Sequence, residues 1–252
     1  SMKKIRLIAR LDINNDSVIK GVHLEGLRKV GDPINLACKY YDNGIDEIIF
    51  LDAVASLYDR NSLEDIIKKA CKEIFVPITV GGGIRTLIDI QNALNAGADK
   101  VAINTQAVKS IDFIGKAVEA FGSQAIVGSI VAAQYQNYWE AFMDNAKHRT
   151  NMDAISWAKK LEDSGVGEII VSSIDKDGMR SGFEIELIKQ ISNNSNIPII
   201  AASGAGKTKD VVDVCKKTRC DAVALGSILH YQTSNVSDIK KEMSDSGLEV
   251  RL

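Results

Sequence analysis

Eight short runs rich in β-branched and aliphatic residues alternate with amphipathic stretches along the whole chain, and this alternation restricts the fold more than any other feature. The strand-like runs are Arg6–Ile13, Glu47–Leu51, Val76–Val80, Lys100–Asn104, Ala125–Ile130, Glu168–Ser172, Ile197–Ala201 and Asp221–Leu225. Between them, stretches such as Asn61–Ile74, Thr86–Ala96, Asp153–Ser164 and Lys207–Lys217 carry apolar residues at three- and four-residue spacing, the period of a helix with one buried face. Strand then helix, eight times in 252 residues, predicts an α/β fold, a single (β/α)8 TIM barrel of parallel strands. A doubly wound open sheet is the structural competitor.

The two halves of the chain also resemble each other. Asp46-Glu47-Ile48-Ile49 matches Gly167-Glu168-Ile169-Ile170, and Val76-Pro77-Ile78 matches Ile197-Pro198-Ile199, both at an offset of 121 residues. The glycine turns Gly82-Gly83 and Ser203-Gly204 follow in step, and Gly97-Ala98-Asp99 with Asn104-Thr105 echoes Cys220-Asp221 with Gly226-Ser227. Two half-barrels within one domain, about 1–122 and 123–252, account for this repeat. Such a barrel would carry two related sites at its C-terminal face.

Composition removes several function classes. With 45% hydrophobic and 25% charged residues the chain is neither disordered, collagen-like nor a disulfide scaffold. Its 31 Lys+Arg against 33 Asp+Glu give no electrostatic reason to expect nucleic acid or an anionic membrane as partner. Nothing approaches the roughly 18 consecutive apolar residues of a membrane span, and the start of the chain has no signal-peptide core, so a cytoplasmic location is expected. Ser1 before Met2 resembles an expression scar. Cys38, Cys71, Cys215 and Cys220 form no CxxC pair, and His23, His148 and His230 stand far apart. No zinc site, other metal or cofactor is therefore expected, and the thiols read as small buried groups.

In a barrel of this kind chemistry sits where the strands run out into loops, so polar residues there carry most weight. The third strand ends in Gly81-Gly82-Gly83 and the seventh in Ser203-Gly204-Ala205-Gly206, each opening a helix. Glycines let backbone N–H groups approach an anion at a helix N-terminus, which suits phosphate. One such turn means little, because tight turns need glycine anyway. The duplicated pair, each joined by a following strand that ends in Asn104-Thr105 or Gly226-Ser227, points to a ligand with a phosphate at each end. Asp12 closes the first strand, where a carboxylate could act as general acid or base or simply cap the loop. Asp52 and Asp177 are further polar candidates, and Lys20, placed in a loop before Val22, either reaches a phosphate or lies on the surface. At the opposite rim Arg6, Glu47, Lys100 and Glu168 begin four strands. Pointing inward they would form a self-neutralised ring; pointing outward, ordinary surface ion pairs.

Taken together, these residues resemble the cyclase subunit family of imidazole glycerol phosphate synthase from about Arg6 to Leu252. The matching segments include Leu11-Asp12, Val18-Ile19-Lys20-Gly21-Val22, Gly31-Asp32-Pro33, Phe50-Leu51-Asp52, Thr79-Val80-Gly81-Gly82-Gly83-Ile84-Arg85, Phe121-Gly122-Ser123-Gln124 and Val250-Arg251-Leu252. The resemblance implies a subunit that receives ammonia from a glutaminase docked at the N-terminal face of the barrel and passes it along the axis to a bisphosphorylated substrate. It implies Asp12 as one of two catalytic aspartates and Lys20 in a mobile loop over the substrate. Gly83, Asn104 and Thr105 would hold one phosphate, with Asp177, Gly178, Gly204, Gly226 and Ser227 lining the other half. Arg6, Glu47, Lys100 and Glu168 match the gate at the ammonia entrance.

One departure stands out. The family's second catalytic aspartate falls at Val131, the position that the internal repeat pairs with Asp12, and valine cannot transfer a proton. Met179 also stands where the family usually has Thr, and Ala202-Ser203 where it usually has Ser-Gly. A kept gate with a lost acid–base group suggests a paralogue. His23-Leu24-Glu25-Gly26-Leu27-Arg28 and Ala55-Ser56-Leu57-Tyr58 resemble cyclase-like proteins of surface-glycan pathways, in which the ammonia would serve a sugar amidotransferase. The alternatives are a genuine histidine-biosynthesis cyclase, a non-catalytic barrel that only activates the glutaminase, and an isomerase of the related half-barrel type.

Overall fold

The computed structural model describes residues 3–14, 17–22, 25–53, 61–143 and 146–252, the side chains of 20–22, 25–28 and 61–62 excepted. The elements in chain order are β1 (Arg6–Asn14), β2 (Ser17–Val22), β3 (Glu25–Gly31), α1 (Pro33–Asp42), β4 (Glu47–Asp52), α2 (Asn61–Glu73), β5 (Ile78–Gly81), α3 (Leu87–Ala96), β6 (Lys100–Ile103), α4 (Thr105–Lys109), α5 (Ile111–Phe121) and β7 (Ile126–Tyr135). They continue with β8 (Tyr138–Met143), β9 (His148–Asp153), α6 (Ala154–Asp163), β10 (Glu168–Ser173), α7 (Ile185–Asn193), β11 (Ile199–Ala202), α8 (Thr208–Lys217), β12 (Ala222–Leu225), α9 (Ser227–His230) and α10 (Val236–Asp245). Strands β1, β4, β5, β6, β7, β10, β11 and β12 pair in parallel and close on themselves through β12 and β1, so the eight predicted runs form the predicted (β/α)8 barrel.

The strands are apolar on both faces because both faces are buried. Leu7, Ala9 and Leu11 of β1 belong to the large core between sheet and helices, whereas Ile8 faces the bore with Ile49, Ala102, Val127, Ile170, Ile200 and Ala222. The period of two puts Arg6, Arg10 and Asp12 on the bore side with Ile8, and Val131 there with Val127. Strand register is held by a recurring device. Asp46, Asp99 and Asp221 each precede a strand and accept the amide of a neighbouring strand, from Leu7, Ile78 and Ile199, all at 2.8 Å.

Two hairpins extend the barrel beyond the eight strands. β2 runs antiparallel to the end of β1 and β3 pairs with β2, while β8 and β9 prolong β7 in the same way. The backbone of Lys20 therefore lies in a strand, opposite Arg28, and not in the loop that the sequence reading assigned to it. That strand is short, contains Gly21 and takes its partner from the continuation of β1, a pairing that periodicity does not register. The side chain of Lys20 lies outside the described residues, as do residues 23–24 of the first segment that resembles glycan-pathway proteins and the whole of the second, 55–58. The second hairpin is fastened by Glu140, fully buried, whose carboxylate accepts from Arg149 Nε at 2.9 Å, Arg149 Nη2 at 2.8 Å and the Tyr138 hydroxyl at 2.8 Å. Those Arg149 bonds, with the Tyr138 hydroxyl adding to them, pull the Glu140 carboxyl down to about 2.

Candidate functional site at the two ends of the bore

At the N-terminal end the four charges point inward and cross-link. Arg6 donates to Glu47 and, at 3.0 Å, to Glu168, and Lys100 donates to Glu47 at 3.1 Å and to Glu168 at 2.7 Å. Each cation thus touches both carboxylates, so the ring is neutral and closed. Glu47 and Glu168 are only 7% and 8% exposed at their side chains, which sets aside the alternative of surface ion pairs. Burial works against the charge of Glu168, but Lys100 and Arg6 outweigh it and hold its carboxyl below the usual range. Burial likewise opposes the charge on Arg6, and Glu47 and Glu168 overcome it and raise the guanidinium.

At the C-terminal end Asp12 is 7% exposed, and its Oδ1 accepts from Arg10 Nε at 3.0 Å. Arg10 Nη1 reaches Ser172 Oγ at 2.9 Å. In the closed sheet β1 and β10 are separated by β11 and β12, so the Arg10 side chain crosses the bore. Burial penalises that guanidinium, yet Asp12 and then Asp177 more than compensate and raise it further. The backbone beneath it is fixed by a ring contact. His230 Nε2–H donates to the Arg10 carbonyl at 3.1 Å, which leaves Nδ1 of a neutral imidazole to accept from the Tyr40 hydroxyl at 2.6 Å.

Register confirms the level of Val131. Asp12 lies opposite Leu51, and Leu51 opposite Gly81; Val131 lies opposite Ser172, and Ser172 opposite Ala202. Both also begin antiparallel pairing with their hairpins, Asp12 with Ile19 and Val131 with Phe142. Of the two positions that the repeat pairs, only residue 12 carries a carboxylate, and it is ion-paired.

Beside Arg10 lies a shallow cleft, open to solvent, lined by Asp177, Gly178, Arg180, Ser203, Gly204, Ala205, Ala224, Gly226 and Ser227. It brings together the five candidates Asp177, Gly178, Gly204, Gly226 and Ser227. Gly204 adopts φ +125°, and a Cβ there would stand 2.2 Å from the Gly182 carbonyl oxygen, so this turn requires glycine. The first-half candidates are placed separately. Gly83 has φ +73° after β5, Asn104 Nδ2 donates to the Ser129 carbonyl at 2.9 Å, and Thr105 starts α4. Asp52 ends β4 and is partly buried. Among the described residues no group of three or more His, Cys, Asp or Glu is placed to hold a metal, and no helix is long and apolar enough to cross a membrane.

Two participants escaped the sequence reading. Arg10 is the most important, and its signal was parity: it shares the inward face of β1 with Arg6 and Asp12. Its partner Ser172 is distant in sequence. Ser203, which the sequence marks as a departure from the family's Ser-Gly, has φ +70° in a region that favours glycine and a buried Oγ without a hydrogen-bond partner. A non-glycine residue there costs about 1 kcal/mol. Ser203→Gly is accordingly expected to raise the melting temperature by about 2–4 °C, measured by calorimetry; an unchanged or lower value would show that the hydroxyl contributes more than the backbone loses.

These features define a (β/α)8 barrel with a charged ring at one end of its bore and an ion-paired, glycine-lined mouth at the other. Comparison with known proteins places it further. The profile of the family described as "Histidine biosynthesis protein" matches residues 6–235. The chain is 42% identical over 247 residues to the imidazole glycerol phosphate synthase subunit HisF of Dehalococcoides mccartyi and 43% identical to that of Saccharolobus solfataricus, each match covering 98% of both chains. It is 50% identical over 210 residues to the HisF subunit of Legionella pneumophila, covering 83% of this chain and 99% of that protein. The chain belongs to the HisF family of imidazole glycerol phosphate synthase cyclase subunits.

Proposed function

We propose that this barrel takes ammonia from a glutaminase subunit at its N-terminal face and conducts it through the bore to a sugar amidotransferase of surface-glycan synthesis, with little or no cyclase chemistry of its own. The observation that carries this reading is the contrast between the two ends. The ring of Arg6, Glu47, Lys100 and Glu168 is complete, whereas at the mouth Val131 replaces one carboxylate and Arg10 holds the other. General acid–base groups contribute about 10²- to 10⁴-fold, and neither a valine nor a guanidinium-bound carboxylate supplies a proton. Between the ends the bore is lined chiefly by Ile8, Ile49, Ala102, Val127, Ile170, Ile200 and Ala222, with the hydroxyl residues Thr79 and Ser129 at the register positions beside Ile49 and Ile170; among the described residues no carboxylate stands along this stretch to escort a cation, so neutral NH3 and not ammonium is the species that fits the path. Around the lower end Phe75, 75% exposed and edge-on to Tyr41, supplies apolar surface for a partner. The glycine turns with Gly83, Asn104, Thr105, Gly178, Gly204, Gly226 and Ser227 suit a phosphorylated ligand at the mouth.

A second reading, a working cyclase of histidine biosynthesis, is favoured by the near full-length identity to HisF subunits. Turnover of the histidine-pathway bisphosphate with saturating ammonium separates the two. Turnover at least about 100-fold below that of a HisF relative is the expected result. A rate normal for the family would establish the second reading.

A further inference from the structure

Arg10 stands where the bore meets the cleft. Its guanidinium is tied to Asp12 on its own strand and to Ser172 three strands away, and its side chain is only 12% exposed. It also lines the cleft, together with Asp177, Arg180, Ser203, Gly204 and Ser227, in which the Ser203 hydroxyl is buried without a partner. Below it the bore is mostly apolar, with Thr79 and Ser129 beside Ile49 and Ile170, so whatever rises from the charged ring meets this cation last.

We infer that Arg10 is a ligand-operated stopper: parked on Asp12 and Ser172 it closes the upper end of the bore, and a phosphate group entering the neighbouring cleft draws the guanidinium away and opens it. The physical basis is a competition for one fork of donors. Parked, Arg10 gives its donors to one carboxylate oxygen and one neutral hydroxyl. A phosphate presents several anionic oxygens to the planar fork and takes two parallel hydrogen bonds, the arrangement that guanidinium groups make best. It also meets the Ser203 hydroxyl in the same cleft. A ligand shifts such an equilibrium only by its differential affinity for the two positions, and here the difference is the Arg10 contact itself. Conduction would then be coupled to occupancy of the mouth, so that ammonia leaves the bore when an acceptor is present. This consequence rests on the conduit reading; the movement of Arg10 does not.

The test is a titration of the intact protein with inorganic phosphate, read by calorimetry and by the Arg10 Nε–H resonance. Ser172→Ala removes one parking bond without changing charge and is expected to tighten phosphate binding about three- to tenfold. Arg10→Lys keeps the charge but loses the fork, and is expected to weaken binding about tenfold. In the wild type the Arg10 resonance should move in proportion to occupancy. Ser172→Ala binding phosphate no tighter than wild type, an Arg10 signal that stays fixed as the site fills, or no saturable binding of phosphate would each overturn the proposal. Should Arg10→Lys fail to fold, the comparison of wild type with Ser172→Ala decides alone. A failure of the conduit reading appears elsewhere, in the fate of glutamine nitrogen, and leaves this titration unaffected.

Discussion

Val131→Asp alone is expected to leave turnover of the histidine-pathway bisphosphate within about threefold of the wild-type level, although it restores a carboxylate at the position paired with Asp12. The reason is Arg10. Ser172, which holds Arg10 Nη1 at 2.9 Å, is the register neighbour of residue 131, so a new carboxylate there would face the same guanidinium that binds Asp12. A cation beside both carboxyls favours their ionised forms. An acid–base pair needs one of them to carry a proton near neutral pH, and with Arg10 in place neither does. The double variant Val131→Asp with Arg10→Ala removes the clamp and is expected to exceed the single variant by at least about tenfold, within the range that one general acid or base contributes. Steady-state assays with ammonium as nitrogen source measure both. Full recovery by Val131→Asp alone would mean that Arg10 does not restrain Asp12.

At the other end, Glu47→Ala is expected to be among the most destabilising single changes. It leaves Arg6 and Lys100, 26% and 18% exposed at their side chains, sharing Glu168 alone. Removing one partner of a buried pair costs about 3 kcal/mol or more, because the remaining charges stay desolvated. At about 2–4 °C per kcal/mol for a chain of this size, the melting temperature should fall by roughly 6–12 °C. The ring should also have a pH signature. Because Lys100 and Arg6 hold Glu168 below its ordinary value, its charge contributes stability that is fully present above the unfolded carboxylate pKa and is lost as pH falls through the lower folded value. Glu168→Gln should therefore be most damaging near neutrality and differ less from wild type in acid, which thermal melts across that range can read.

How far the chain could be read before folding varied with the physics. The eight barrel strands were legible because parallel strands buried on both faces write continuous apolar runs, and the helices because a single buried face repeats every three to four residues. The ring was legible as composition and position, since Glu47 and Glu168 begin equivalent strands of the repeat, but its inward direction and its double cross-linking required coordinates. Val131 was found through the family resemblance, with the repeat pairing it independently with Asp12, and the strand registers support that pairing. The hairpins β2–β3 and β8–β9 were missed because each pairs with the continuation of a barrel strand, and nothing in local periodicity announces that a strand will outrun its barrel. Arg10 was missed for a related reason. A charge at an inward position gains meaning only when its partner is known, and Ser172 lies 162 residues away.

The most direct measurement of the conduit is isotopic. In a complex of the barrel with a glutaminase subunit and the proposed amidotransferase, glutamine labelled with 15N in the amide is supplied against an excess of unlabelled ammonium in the solvent. Conduction through the bore predicts product that carries the 15N label, and Glu47→Ala, with its ring broken, should let unlabelled nitrogen in. Product whose label is already diluted to the solvent ratio in the wild-type complex would contradict the account.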